Sequence, residues 1–280
     1  MRTERIDQVE EYILTNKTVT IDQLCEAFKV SKNTIRRDIG QLLDRGRIKK
    51  VYGGVTALPD SSLMTLTPYS LRNTSFEHEK DLICRRAASF IEDNDLIYID
   101  TGTTSQNLID YLGNKKCTII TNSLQVALKA VNYPNITLIS LSGKLKRETL
   151  SFVGSTVEEA LKTYNIGKAF LCCTGVTIEN GLTNASMDEY QIKKIVVENS
   201  QCRYLLADHT KFGKFSLMTY SPLSAVEHVI TDQNPPNDYL NFFNTHDINL
   251  HITTEEFFKS NTPQQADGTS NLQRSKLRGI

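Results

Sequence analysis

Two groups of residues in this chain have types and spacing suited to holding anions. The first is Ser31-Lys32-Asn33-Thr34-Ile35-Arg36-Arg37-Asp38 together with Arg47-Ile48-Lys49-Lys50-Val51-Tyr52-Gly53-Gly54. Eight basic residues stand against two acidic ones between Phe28 and Lys50, while the 280-residue chain balances 32 Lys and Arg against 32 Asp and Glu. A local cationic excess on a neutral protein marks a polyanion-binding face. The second group is a set of short polar clusters: Asp100-Thr101-Gly102-Thr103-Thr104, Thr121-Asn122-Ser123, Ser142-Gly143-Lys144, Thr174-Gly175 and Asp208-His209-Thr210-Lys211. Hydroxyls, backbone N–H groups and helix N-termini together suit phosphate. Lys211 adds a cation, and Asp100, Asp208 and Glu189 are acceptors suited to sugar hydroxyls. The sum reads as a sugar phosphate pocket. Taken singly, Thr103 or Ser123 could cap a helix, and Gly102 or Gly175 could simply allow a tight turn.

The elements that must position the first group are short. Ile6, Val9, Ile13 and Leu14 recur at helical spacing, and Thr18-Val19-Thr20 breaks that helix. Thr20 or Asp22 caps a second helix whose buried face is Ile21, Leu24, Cys25 and Phe28. Lys29-Val30 turns the chain, and Ser31 caps a third helix running to about Asp44, with Ile35, Ile39, Leu42 and Leu43 inward. Its first two turns then carry Lys32, Asn33, Thr34, Arg36 and Arg37, where a recognition helix needs polar side chains to reach the major groove. Gly46 ends the helix, and residues 48–55 form a basic hairpin.

The polar clusters each follow an apolar run: 96–99, 117–120, 136–141, 169–173 and 204–207. Near-continuous apolar strands with helical connections predict a parallel sheet covered on both faces. Ligands bind beyond the carboxyl ends of such strands, so the five clusters are expected at one mouth. A helix over 76–93 with Ile83, Ala87, Phe90 and Ile91 as its stripe precedes them. Residues 58–75, with Pro59 and Pro68, read as a linker with one or two ordered contacts. Residues 256–280 read as a disordered tail.

Val30-Ser31-x-x-Thr34-Ile35-Arg36-Arg37-Asp38 and Val51-Tyr52-Gly53-Gly54 resemble the winged-helix head of the DeoR family of bacterial transcriptional regulators. The clusters at Asp100, Thr121, Gly175, Gly181-Leu182, Glu189 and Asp208 to Gly213 resemble that family's effector domain in order and spacing, so the resemblance covers about residues 1–255. It implies an α/β chain: a winged helix-turn-helix over 1–57, then over 76–255 a doubly covered, mostly parallel sheet domain resembling ribose-5-phosphate isomerase. It further implies that Thr20, Ser31, Lys32, Asn33, Thr34, Arg36 and Arg37 meet double-stranded operator DNA, with Lys49, Lys50, Tyr52 and Gly53 forming the wing. Asp38 is structural, paired to an arginine or to Lys49. The expected effector site comprises Asp100, Gly102, Thr103, Thr104, Thr121, Asn122, Ser123, Gly143, Gly175, Glu189, Asp208 and Lys211. The family usually has two glycines where this chain has Ser142-Gly143, and Asn184-Ala185-Ser186-Met187 follows no pattern of the family.

The expected function is a cytoplasmic bacterial repressor of carbohydrate catabolism genes, a dimer or tetramer, whose operator affinity follows a phosphorylated sugar. A sugar phosphate isomerase with an added DNA-binding head is the alternative, since Asp100, Asp208 or Glu189 could act as general base. A dinucleotide-binding redox sensor is excluded, because no Gly-x-Gly-x-x-Gly follows a strand. The six cysteines form no Cys-x-x-Cys pair, so no metal or other cofactor is expected. No apolar run approaches the roughly 18–20 residues of a membrane span, and the amino terminus lacks a signal peptide's apolar core.

Overall fold

The computed structural model describes residues 2–44, 48–57 and 63–254. The expected helix stop at Gly46, the first linker residues (58–62) and the tail (256–280) lie outside them. Helix α1 (Arg2–Asn16) buries Ile6, Val9 and Ile13, and strand β1 (Thr18–Thr20) follows. Thr20 caps α2 (Ile21–Phe28) through a reciprocal box with Gln23, whose backbone N–H reaches the Thr20 hydroxyl at 3.2 Å. Of the face expected to be buried, only Leu24 is fully enclosed; Ile21, Cys25 and Phe28 are half-buried at its rim. Lys29 turns through the left-handed region at φ 51°. Ser31 Oγ then accepts the Thr34 N–H at 3.3 Å and starts α3 (Lys32–Asp44).

Strands β2 (Ile48–Val51) and β3 (Gly54–Ala57) form the antiparallel wing, and β3 also pairs with β1. A Cβ on Gly54 would lie 2.1 Å from the Val19 carbonyl oxygen, so only glycine lets these strands meet. Asp38 is buried and takes a two-pronged contact from Arg5, at 3.0 and 3.2 Å, tying α3 to α1.

The stretch expected as a linker is folded from residue 63 onward. Strand β4 (Leu63–Met64) and helix α4 (Tyr69–Asn73) make a strap that leads to α5 (Glu77–Ala88). Beyond it come β5 (Leu96–Ile99), a 3-10 turn over Ser105–Tyr111, β6 (Thr118–Thr121), α6 (Leu124–Ala130) and β7 (Thr137–Ser140). The hairpin of β8 (Lys144–Lys146) and β9 (Ser151–Val153) leads to α7 (Ser155–Leu161), β10 (Ile166–Cys172), β11 (Gly175–Thr177) and β12 (Gly181–Asn184). Helix α8 (Met187–Glu198), β13 (Ser200–Leu206), β14 (Phe215–Ser216), β15 (Met218–Ser221), β16 (His228–Thr231), α9 (Asn237–Thr245) and β17 (Asn249–Ile252) complete the order.

The main sheet runs β17-β16-β13-β10-β5-β6-β7, with every neighbouring pair parallel. Alternate residues of β5 enter different cores: Tyr98 faces α7, α8 and α9, while Ile97 and Ile99 face α5 and α6. Both faces are thus covered, as the apolar runs foretold. Strands β16 and β17 extend the sheet beyond the five runs read from sequence. A smaller antiparallel sheet, β11-β12-β15, stands beside the carboxyl ends. Among the described residues no helix is long and apolar enough to cross a membrane.

Candidate functional site

The head offers a solvent-facing cationic surface. On α3, Ser31, Lys32, Asn33, Arg36 and Arg37 are exposed, while Ile35, Asp38 and Ile39 are buried beneath them. Thr34 is half-buried and holds the Ser31 side chain at 3.0 Å. Lys49, Lys50, Tyr52 and Gly53 project from the wing, with the Tyr52 ring wholly in solvent. Thr20 is exposed at the start of α2, its hydroxyl engaged by the cap. Lys32 meets Asp22 of α2 at 2.5 Å, an exposed pair that DNA phosphate could displace. The residues expected to meet DNA are thus exposed on α3, the wing and the start of α2, with Thr34 half-buried among them.

The larger domain holds a cavity of about 360 Å³. It lies beyond the ends of β5, β10 and β13, three neighbours in the sheet. The chain builds outward from β5 to β7 and then restarts at β10 on β5's other side, so the cavity marks the point where strand order reverses. Gly102 is needed at this floor, because a Cβ there would meet the Cys172 sulfur at 2.4 Å. Thr101, Thr103 and Thr104 follow β5, Thr174 follows β10, and Asp208, Thr210 and Lys211 follow β13. The strap closes the top with Met64, Thr65, Thr67 and Arg72.

The walls are charged and largely buried. Arg72 donates from Nε to the Thr67 carbonyl at 2.9 Å, and burial lowers its guanidinium below the ordinary value. Lys80 reaches from α5 to the Ser75 carbonyl at 2.6 Å and to the Arg72 carbonyl. Burial brings its ammonium down to about 8, against the pull of Asp208. Lys193 on α8 donates to Asp100 and, at 3.0 Å, to the Cys172 carbonyl, above the Tyr220 ring. Burial would lower it, but Asp100 and Glu189 hold it charged and raised. Glu189 accepts from Ser151 at 2.7 Å, Thr101 at 3.1 Å and Asn184 at 3.4 Å. Burial would raise Asp208; Lys211, Lys80 and the Thr210 hydroxyl hold it below its ordinary value. Such a mixture of fixed cations and hydroxyls can hold a phosphate, and Glu189 and Asn184 can meet hydroxyls or a carbonyl.

Six of the twelve expected effector residues line this cavity: Gly102, Thr103, Thr104, Glu189, Asp208 and Lys211. Asp100 sits beneath it, accepting the N–H groups of Thr101 and Cys172, each at 2.8 Å, and orienting Lys193. The cluster after β6 lies one strand farther along the sheet. There Thr121 donates to the Ile99 carbonyl at 2.7 Å, Asn122 bridges Tyr98 and Phe152, and Ser123 caps α6. Gly143 rests on the Val153 backbone and Gly175 on that of Lys214. The clusters at five strand ends thus divide, because the sheet is wider than one small cavity.

Residues absent from the sequence reading complete the wall: Arg72, Lys80, Thr149, Lys193 and Lys214. The available signal was a charge on an apolar stripe. Lys80 shares the buried face of α5 with Cys84 and Ala87, and Lys193 follows Glu189 by one turn among Ile192 and Val196. Asn184, which matched no family pattern, also lines the cavity.

Two family models divide the chain in the same way. The DeoR-like helix-turn-helix domain matches residues 5–60, and the DeoR C terminal sensor domain matches residues 75–233. The HTH-type transcriptional regulator IolR of Bacillus subtilis is 45% identical over 90% of this chain and 100% of its own length. The HTH-type transcriptional repressor GlcR of the same organism is 30% identical over 90% of this chain and 97% of its own. Among solved structures, ribose 5-phosphate isomerase A from Methanocaldococcus jannaschii aligns with 49% of this chain and 55% of that one, at 23% identity and a TM-score of 0.37.

Proposed function

Because the chain belongs to the DeoR family of HTH-type transcriptional regulators, we propose that it is a repressor whose operator affinity falls when a phosphorylated sugar or sugar derivative fills the sensor cavity. The observation that carries this reading is that Arg72, Lys80, Lys193 and Lys211, the first and last half-buried and the other two buried, line one cavity with the hydroxyls of Thr101, Thr103 and Thr104. Phosphate seats among the cations and threonines, and the ligand's hydroxyls turn toward Glu189 and Asn184. Names of relatives fit this class: one is a repressor of a glycerol-3-phosphate regulon in Escherichia coli. The α3 and wing surface takes operator DNA, with Arg36 and Arg37 reading base edges or phosphates. Two-fold symmetric operators call for at least a dimer.

Turnover is disfavoured by the company this chain keeps. The relatives that cover 90% of the chain are named as transcriptional regulators and repressors, and a DNA-binding head accounts for the chain without catalysis. A thermal-shift screen of the full chain with pentose and hexose phosphates tests the reading. A true effector at 100 times its dissociation constant stabilises the native state by about 2.7 kcal/mol. Formation of an isomer in the same incubations would instead support the enzyme.

A further inference from the structure

The strap over the cavity lies in the chain between the wing and the sensor domain, and no side chain from Leu63 to Ser75 is fully buried. Polar contacts hold it. Strand β4 pairs with β14, the Tyr69 N–H donates to the Glu148 carbonyl at 3.0 Å, and the Tyr69 hydroxyl donates to Gln106. A segment with few buried side chains sits at the low end of local stability, so one added bond changes its docking measurably. One donor of the strap is unused. Arg72 gives Nε to the Thr67 carbonyl at 2.9 Å, while its Nη2 is shielded from solvent and has no hydrogen-bond partner among the described residues. Burial lowers this guanidinium, and Glu189 is foremost among the groups that oppose the effect through space. Two other cations of the wall already donate to the chain: Lys80 to the Arg72 and Ser75 carbonyls, Lys193 to Asp100 and the Cys172 carbonyl. A buried donor on a charged group is costly to leave unpaired, and an anionic oxygen is the acceptor that removes the cost.

We propose that Arg72 is the residue by which the effector latches the strap: its buried Nη2 donates to an anionic oxygen of the ligand and pins residues 63–75 onto the sensor domain. The proposal rests on the reading of the cavity as the phosphorylated effector's site. The loops after β5 and β13 hold the ligand from the sheet side, and Arg72 holds it from the strap side. Lys80 supports the arrangement by fixing the Arg72 backbone through its carbonyl. Occupancy of the cavity is thereby registered on the stretch of chain that leads to the head. The wing's last strand ends at Ala57 and the strap begins at Leu63, so the strap's position limits where the wing and α3 can stand. Two heads on one operator bind best at one spacing, and operator affinity follows that placement. A sugar without the anionic group fills the cavity without engaging Arg72 and leaves the strap as it was, because only differential contacts shift an equilibrium.

The test uses the full chain and inorganic phosphate, with binding read by calorimetric titration and strap order by hydrogen exchange over residues 63–75. Phosphate should slow exchange of the strap in wild type. Arg72→Gln should bind phosphate about tenfold weaker, and at saturation its strap exchange should not slow. Arg72→Lys keeps the charge and loses the planar fork, so its affinity should fall between the two. Tyr69→Phe removes the strap's bond to Gln106, outside the cavity. Its strap should exchange faster than wild type and still be slowed by phosphate. Wild-type affinity in Arg72→Gln, or wild-type strap exchange unmoved by bound phosphate, would overturn the latch while leaving the cavity's function standing. Absence of phosphate binding by wild type would overturn both.

Discussion

Two ion pairs show how differently the halves of this molecule use charge. Lys32 and Asp22 meet on the head's surface with side chains 59% and 73% exposed, whereas Lys193 and Asp100 meet in the sensor at 5% and 1%. The first pair is screened by water and salt and contributes about 0–1 kcal/mol. The second survives only because each charge has its partner, with the Cys172 N–H and carbonyl completing the network. A DNA surface wants the first kind, since its cations must trade one partner for another without a large penalty. A ligand cavity wants the second, since fixed and desolvated charges discriminate strongly between occupants.

The largest effect should come from breaking the buried pair. Lys193→Met leaves Asp100 uncompensated and is expected to destabilise the sensor domain by about 3–5 kcal/mol, read by urea denaturation. Lys32→Ala, in the same assay, should shift stability by less than about 1 kcal/mol. Equal effects would erase the distinction.

Next comes the effector response. Thr103→Val removes a hydroxyl from the cavity floor. It should abolish the roughly 2.7 kcal/mol of stabilisation by saturating effector while leaving operator affinity intact. Arg36→Ala or Arg37→Ala should do the reverse, weakening operator binding by about 1–3 kcal/mol in a gel shift and leaving effector stabilisation unchanged.

A smaller effect concerns pH. Lys80's ammonium, lowered by burial to about 8, is charged below that pH and neutral above it. A bound anion favours the charged form, so binding above pH 8 must take up a proton. Affinity for sulfate, whose own charge is constant there, should hold from pH 6.5 to 7.5. It should then fall toward pH 9 by at most about tenfold per unit. Lys80→Met should flatten the profile. The smallest change belongs to the wing: Lys49→Ala should reduce the salt slope of operator binding by about 0.9 without altering sequence preference.

The same contrast explains what could be read from sequence. The head was legible because its signals are local. Thr20 and Ser31 cap helices within three residues, and Arg36 and Arg37 are exposed by the periodicity that buries Ile35 and Ile39. Strand ends in the sensor were legible too, since apolar runs and polar stops lie side by side. Which strand ends share a cavity depends on strand order, and Thr121 and Asp208 look alike until β6 and β13 are placed on opposite sides of β5. Arg72 was hidden because the strap from residue 63 to Ser75 resembles a linker in composition, and Lys80 because a single cation on the apolar stripe of α5 reads as a surface charge. The strap becomes ordered only through distant partners, such as Ser216, which donates to the Met64 carbonyl, and Gln106, which accepts from the Tyr69 hydroxyl.

The central claim is that occupation of the sensor cavity lowers the head's affinity for DNA. Fluorescence anisotropy of labelled operator with the full chain, titrated with each sugar phosphate that stabilises it in the thermal screen, measures this directly. The expected result is that at least one such compound weakens operator binding at least tenfold in wild type, and has no effect on Thr103→Val. Undiminished operator affinity with the stabilising compound at saturation would contradict the account.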